Sequence, residues 1–227
     1  MSSIDPEIQS LRARETELGS LRILRALPRR QRRTVGAWCF LDRYGPLQFR
    51  EEIPMDVAPH PHIGLQTVSW LLQGEILHND SLGYEALMRA GQLNLMTAGH
   101  GIAHSEETPT KNSGVVDGVQ LWVALPSNQR NIAPVFHHHA SLPVLDLASG
   151  TVTIIAGTLL EHTSPAQMFS PIVAAELGFR ARDPLVLAVR HDFEHAVFVL
   201  RGEVQFNNQA LEGATLHYLG TGRDELR

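Results

Sequence analysis

The sequence contains a single cysteine, Cys39, among its 227 residues. One thiol forms no intrachain disulfide and cannot supply the several thiolates of a cysteine-rich metal site. Long hydrophobic runs are missing too, because no stretch approaches the roughly 20 apolar residues of a membrane-spanning helix. The opening residues 1–6 lack the positive charge and apolar core of a signal peptide. We therefore expect a cytoplasmic protein that is held together by packing and has no membrane association.

Lysine is nearly absent, since the 19 basic residues are all arginines apart from Lys111. With 24 acidic residues the formal net charge is −5. This charge argues against direct nucleic-acid binding, which depends on neutralising phosphates. Arg29, Arg30, Arg32 and Arg33 nevertheless form one short basic run. The run could meet an acidic partner, but a solvent-exposed turn is the favoured interpretation.

The motifs of two common enzyme classes are also missing. No serine lies in a Gly-x-Ser-x-Gly context, and no Gly-x-Gly-x-x-Gly or Walker-type loop occurs. Chemistry based on a nucleophilic serine or on a nucleotide is therefore disfavoured. The chain is long enough to form one large all-β domain or two smaller ones.

Two short motifs carry potential metal ligands. His60 and His62 are two residues apart, as are His104 and Glu106 further along the chain. On a β-strand such residues point to the same face, so two adjacent strands would aim three imidazoles and one carboxylate at one point. This mixed nitrogen and oxygen set suits iron, nickel, copper or zinc better than calcium or magnesium. Strand alternation turns the neighbouring Glu107 away from His104, which favours Glu106.

A purely structural interpretation of these histidines has to be weighed against the metal site. Histidines at strand ends often only cap turns or satisfy buried polar groups, and for one isolated pair that interpretation would prevail. The presence of two such pairs, in this order along the chain, favours a metal site over the structural interpretation. His78 completes no same-face pair with these ligands, and we expect it to make a structural hydrogen bond. His100 is either an exposed loop residue or a donor to a metal ligand, and the run His137–His139 is expected to be a solvated loop.

The residues around the two motifs predict strands and turns. The segment Gly64–Leu77 is rich in aliphatic residues, threonine and tryptophan, and predicts two strands joined at Gly74. Leu93–Thr97 alternates apolar and polar residues until a glycine-containing turn. Trp70, Leu72 and Met96 are candidates either for a pocket beside the metal or for ordinary core.

Together these features resemble the pirin family, whose members are bicupin proteins that include bacterial quercetinase-like enzymes. The combined motifs cover residues 20 to 126 and are far more specific than any single His-x-His. They are Phe40-x-Asp42-x-x-Gly45-Pro46, Pro59-His60-Pro61-His62-x-Gly64, Leu72-x-Gly74-Glu75, His78-x-Asp80-Ser81-x-Gly83, Met96-Thr97-Ala98-Gly99-x-Gly101-Ile102-x-His104-Ser105-Glu106 and Gln120-Leu121-Trp122-Val123-x-Leu125-Pro126.

The resemblance implies a divalent transition metal held by His60, His62, His104 and Glu106. Iron is favoured, and nickel, cobalt, copper, manganese and zinc remain open. It also implies a dioxygenase that cleaves a flavonol such as quercetin with dioxygen and releases carbon monoxide, with Glu106 as the catalytic base. The alternative is a non-catalytic, iron-sensing regulator that acts through a protein partner. The residues alone do not decide between these two functions.

An internal repeat predicts two barrels of the cupin type in an all-β fold. The segment Ser69–Ile76 is echoed by Val197–Val204. In the second copy, Ala188, Arg190 and Arg227 occupy the places of His60, His62 and His104, so we expect only the first barrel to bind metal.

The predicted domains are a metal-binding barrel at 1–126, a linker at 127–149 and a second barrel at 150–227. Prolines and glycines interrupt the strand-like sequence around the linker. The second barrel is expected to lack its final strands. The strand Leu21–Leu27 is one candidate to complete it; otherwise its edge would need a partner.

Overall fold

The computed structural model describes residues 7–18, 21–49, 56–180 and 184–227. The opening residues 1–6, which carry the argument about a signal peptide, lie outside these ranges. Regular structure in the described ranges consists of β-strands, and the predicted all-β class is confirmed. No helix in this part of the chain is long and apolar enough to cross a membrane.

The strands are numbered in chain order. The first eleven are β1 (Gln9–Arg12), β2 (Arg14–Leu18), β3 (Leu21–Leu27), β4 (Trp38–Gln48), β5 (Asp56–His62), β6 (Leu65–Asp80), β7 (Glu85–Arg89), β8 (Leu93–Thr97), β9 (Ile102–Glu107), β10 (Val115–Ala124) and β11 (Val135–His139). The others are β12 (Val144–Leu147), β13 (Gly150–Ala156), β14 (Thr158–Leu159), β15 (His162–Thr163), β16 (Ala174–Phe179), β17 (Leu187–Ala188), β18 (His195–Phe198), β19 (Val204–Phe206), β20 (Gln209–Leu211), β21 (Thr215–Gly220) and β22 (Glu225–Leu226).

One ten-stranded sheet dominates the first half of the chain. Its main path runs β11-β8-β6-β10-β4-β3-β2, and β5, β7 and β9 attach beside β6. The first part of β6 pairs with β8 and β10, and its last residues pair with β7 and β9. Because one strand serves both sets of partners, the sheet curls over itself and brings β5 and β9 onto its inner face.

The prediction of two strands joined at Gly74 is wrong, because β6 continues through this residue. Gly74 has φ +89°, a conformation that side-chain-bearing residues rarely adopt. A Cβ atom here would lie 2.0 Å from the carbonyl oxygen of Val115. Glycine therefore lets β6 turn without ending and lets β10 pass close beside it.

The outer face of the large sheet packs against the second half of the chain. Val68, Trp70 and Leu93 form one buried cluster with Ile155 and Ile172, among others. Burial of this apolar area stabilises the contact between the two halves. It also shows that Trp70 belongs to the core and not to a pocket beside the metal motifs.

A buried ion-pair network also joins the two halves. The Asp117 carboxylate is fully buried, and the guanidinium groups of Arg43 and Arg201 both contact it. Arg43 is itself buried and comes from β4, whereas Arg201 follows β18 in the second half. Asp117 thus holds two cations from distant parts of the chain.

Strand pairing crosses the predicted domain boundaries at two places. Leu21–Leu27 lies in the large sheet as β3, and β1 instead pairs with β21 of the second half. The strand β11, inside the predicted linker, pairs with β8. The division at 1–126, 127–149 and 150–227 stays a prediction.

Candidate metal centre

The three strands β5, β9 and β6 lie side by side and carry the predicted ligands. His104 on β9 pairs directly with His60 on one side and Asp80 on the other. Glu106, two residues along, pairs with His78. Directly paired residues share one face of a sheet, so all of these side chains project to the same side.

Three imidazoles converge there. One ring nitrogen from each of His60, His62 and His104 lies within 4.8 Å of the others. The Nε2 atoms of His62 and His104 are 3.1 Å apart. Two nitrogens that each lie about 2.1 Å from one metal, at angles between octahedral and tetrahedral values, are separated by about 3.0–3.4 Å. This donor set therefore fits a first-row transition metal.

Glu106 lies beside the imidazole of His104. Its side chain is buried, and its Oε1 accepts a hydrogen bond from the Ser69 hydroxyl at 2.9 Å. A carboxylate oxygen of Glu106 lies within 4.8 Å of ring nitrogens of His104 and His78, which form a second group of metal-type donors. His104 is therefore common to both groups, and the assignment of all four predicted ligands stays a prediction.

Hydrogen bonds select which ring nitrogen each histidine offers to a metal. His60 Nδ1 lies 2.9 Å from the Ala58 carbonyl oxygen, which only accepts, so Nδ1 carries the proton and Nε2 keeps its lone pair. His78 Nε2 lies 3.1 Å from a carboxylate oxygen of Asp80, so in the neutral ring this nitrogen donates. His78 Nδ1 can then accept from His104 Nδ1, 3.4 Å away. The chain from Asp80 through His78 thus leaves His104 Nε2 free to bind.

Burial favours the uncharged form of His62 and His104. Desolvation, with a smaller contribution from His60, lowers the pKa of His62 from 6.5 to about 4. Desolvation and the neighbouring histidines lower the pKa of His104 to about 2. Burial raises the pKa of Glu106, although the Ser69 hydrogen bond opposes the shift. Neutral imidazoles are the form that binds metal, so the lowered pKa values of His62 and His104 favour metal binding by these two residues.

Aromatic rings enclose the group of histidines. The indole of Trp122 meets His62 edge-on at 5.0 Å between ring centroids and stacks on Phe40 at 3.9 Å. Phe136 stacks on His78 at 4.1 Å and packs in a buried cluster with Met96. Met96 therefore lies on the inner face of the sheet, on the side of the histidines, whereas Trp70 belongs to the core on the outer face.

The structure corrects the predicted roles of several other histidines. His78 makes the expected hydrogen bond to Asp80 but also shares the face of the ligands, which its place in the sequence did not reveal. Only the pairing of β6 with β9 could have shown it. His137–His139 is a strand rather than a loop, and His138 Nδ1 lies 2.7 Å from Asn94 Oδ1. His100 is exposed in a turn.

The chain is similar to known proteins over nearly its whole length. Residues 20–123 match the pirin family model. A Pseudomonas aeruginosa protein provisionally named a quercetin 2,3-dioxygenase is 44% identical over 97% of this chain and 70% of its own length. A pirin-like protein of Caulobacter vibrioides is 36% identical over 92% of this chain and 75% of its own.

A solved structure shows the same fold. The crystal structure of a quercetin 2,3-dioxygenase from Acinetobacter baumannii superimposes with a TM-score of 0.93 at 41% identity, covering 96% of this chain and 73% of that one. The predicted bicupin architecture and the resemblance drawn from the sequence are both confirmed. With its motifs, fold and relatives in agreement, this chain belongs to the pirin family.

Proposed function

We propose that the protein is a metal-dependent dioxygenase that cleaves a flavonol such as quercetin. The observation that carries the proposal is the convergence of three imidazoles, from His60, His62 and His104, beside the buried Glu106 side chain. The names of the Pseudomonas and Acinetobacter relatives supply the substrate class.

We assign His60, His62, His104 and Glu106 as the residues that hold one divalent transition metal, with iron favoured. When bound, such a metal supplies a Lewis acid for a substrate oxygen and a place for dioxygen. Glu106 has a second role in this proposal. Its raised pKa makes it a better proton acceptor near neutral pH, and Ser69 occupies only Oε1, so Oε2 can receive the proton of a flavonol hydroxyl.

The reaction is tested by loading the protein with iron, nickel, cobalt, copper, manganese or zinc and measuring oxygen uptake and carbon monoxide release with quercetin. Glu106→Gln keeps the shape of the side chain and removes its basicity. We expect it to lower the rate by roughly 10²- to 10⁴-fold, as for loss of a general base. The matched control is Glu107→Gln, because Glu107 is half-buried and bonds Ser105 instead.

The ligand assignment is tested separately by metal analysis of protein purified without chelator. His104→Ala is expected to abolish metal retention, whereas His100→Ala, at an exposed turn, should retain the metal content of the wild type. Metal retention without oxygen uptake for any metal and flavonol would contradict the dioxygenase proposal. It would support the iron-sensing regulator with a protein partner.

A further inference from the structure

A cleft lined by arginines lies at the opposite edge of the large sheet from the metal motifs. Its volume is about 290 Å³. The lining residues are Arg14, Arg25, Pro28, Arg29, Arg30 and Gln31. None of them is acidic, and β10 and β4 separate this edge from β6.

Two of the arginines face each other across the edge of the sheet. Arg14 on β2 is the direct antiparallel partner of Arg25 on β3. Like charges in this arrangement repel each other. Arg25 is balanced by Asp42, which accepts hydrogen bonds from its Nε at 2.9 Å and its Nη2 at 2.7 Å. No such acidic partner is seen for Arg14 in the described ranges.

A tight turn brings two further arginines to the cleft. Arg29 and Arg32 exchange backbone hydrogen bonds of 2.8 and 3.1 Å, with Arg30 at the tip between them. The Arg32 side chain points away from the cleft and anchors the turn. It donates to Gln9 at 3.0 Å and its guanidinium lies 3.3 Å from the centroid of the Tyr218 ring. The turn that carries the basic run is therefore fixed to the rest of the protein by Arg32, although Arg30 and Arg33 are exposed.

One guanidinium nitrogen at this turn is buried without a partner. Nη1 of Arg29 is inaccessible to solvent and makes no hydrogen bond with the described residues. A buried donor without an acceptor is costly, and more so when it carries charge. Because Nη1 is closed to solvent, an anion in the cleft would contact the Arg29 guanidinium through its other nitrogens, offset part of its charge and relieve the repulsion between Arg14 and Arg25.

We propose that the arginine cleft binds a small phosphate-bearing molecule. Guanidinium groups present planar pairs of donors that match phosphate oxygens. Asp42 occupies Arg25, but Arg14, Arg29 and Arg30 line the cleft with no carboxylate partner in the described ranges. The volume lies at the lower end of the range for small-molecule sites, about 300 Å³, which suits inorganic phosphate, pyrophosphate or a small phosphate monoester. This site is independent of the flavonol proposal.

Calorimetric titration of the full chain with inorganic phosphate, pyrophosphate and glycerol phosphate, at constant ionic strength, tests the proposal and separates the free anions from an ester. Arg29→Gln and Arg30→Gln should each weaken binding at least tenfold. Arg33→Gln is the matched control, because it removes the same charge from the same run but does not line the cleft. His104→Ala should bind as tightly as the wild type, which excludes capture of the anion by a metal.

A thermal scan provides a second readout. Arg29→Gln should raise the melting temperature of the ligand-free protein and remove the rise produced by pyrophosphate. If Arg29 has only a structural role, the substitution should instead lower the melting temperature of the ligand-free protein. Arg30 is exposed, so its variant should fold even if that of Arg29 does not. Absence of binding to the wild type, equal binding of succinate, or binding unchanged in both variants would overturn the proposal.

Discussion

At the scale of single residues, hydrogen bonds decide which ring nitrogen of each histidine carries the proton and which can bind a metal. His60 is oriented by a backbone carbonyl, and His104 is oriented through His78 by Asp80. Each arrangement leaves an Nε2 lone pair for a metal. These partners explain why a face crowded with imidazoles can remain ordered before a metal binds.

The lowered pKa values of His62 and His104 predict how the metal-free protein responds to pH. Their folded-state pKa values are about 4 and about 2, below the ordinary 6.5, so the unfolded chain binds more protons as the pH falls below 6.5. The free energy of unfolding should therefore decrease between pH 7 and pH 5, by about 2 kcal/mol for each of the two histidines before the contribution of Glu106 is subtracted. Glu106 acts in the opposite direction, because its pKa is raised, but it is one group against two.

Urea denaturation of chelator-treated protein at a series of pH values measures this dependence. The double variant His62→Gln/His104→Gln should show a flatter profile, whereas His100→Gln should keep the slope of the wild type. An identical slope in the double variant would show that these two histidines are not the source of the pH dependence.

The sequence predicted that these histidines converge, but it did not predict that His78 and Asp80 orient His104. Same-face spacing identified His62 and His104 because alternation along a strand is a local property. His78 was missed because its place opposite Glu106 depends on the register between β6 and β9. Register is decided by packing of the whole sheet and cannot be deduced from a turn-rich segment such as 78–83.

At the scale of elements, β6 is the strand on which the geometry of the site depends. It pairs with β8 and β10 before Gly74 and with β7 and β9 after it. The repeat copy does not behave in the same way, because β18 ends at Phe198 and β19 begins at Val204. The two copies nevertheless share the glycine conformation, because Gly74 and Gly202 both have positive φ.

Gly74→Ala is expected to destabilise the protein by about 3 kcal/mol or more, through a positive φ and a clash of the new Cβ with the Val115 carbonyl. Gly91→Ala is the matched control. Gly91 also has positive φ, at +77°, but no atom lies within 4 Å of its Cβ position, so only about 1 kcal/mol should be lost. Equal losses in urea denaturation would contradict the role given to the close approach of β10.

At the scale of the whole molecule, apolar packing, the Asp117 ion network and the pairing of β1 with β21 hold the two halves together. The sequence predicted two barrels but not their connections, because pairs such as β1 with β21 join residues about 200 positions apart. No local pattern carries such information. The boundaries at 1–126, 127–149 and 150–227 stay a prediction, because prolines and glycines mark interruptions of the strand pattern and do not show which strands pair.

Asp117→Asn tests the ion network. Asp117 is fully buried and Arg43 nearly so, and removal of one partner leaves a buried cation without compensation. We expect a loss of about 3–5 kcal/mol in the free energy of unfolding. The control, Asp146→Asn, breaks an exposed pair with Arg180 and should cost less than about 1 kcal/mol. A small effect at Asp117 would contradict the stabilising role given to this ion network.

The most direct test of the central claim is the position of the metal in crystals of the loaded protein, located by anomalous diffraction. We predict one ion bound by imidazole nitrogens of His60, His62 and His104 and by the Glu106 carboxylate. An ion held by His78 with His104 and Glu106, away from His60 and His62, would contradict the account, as would a crystal of metal-retaining protein with no ion at this face.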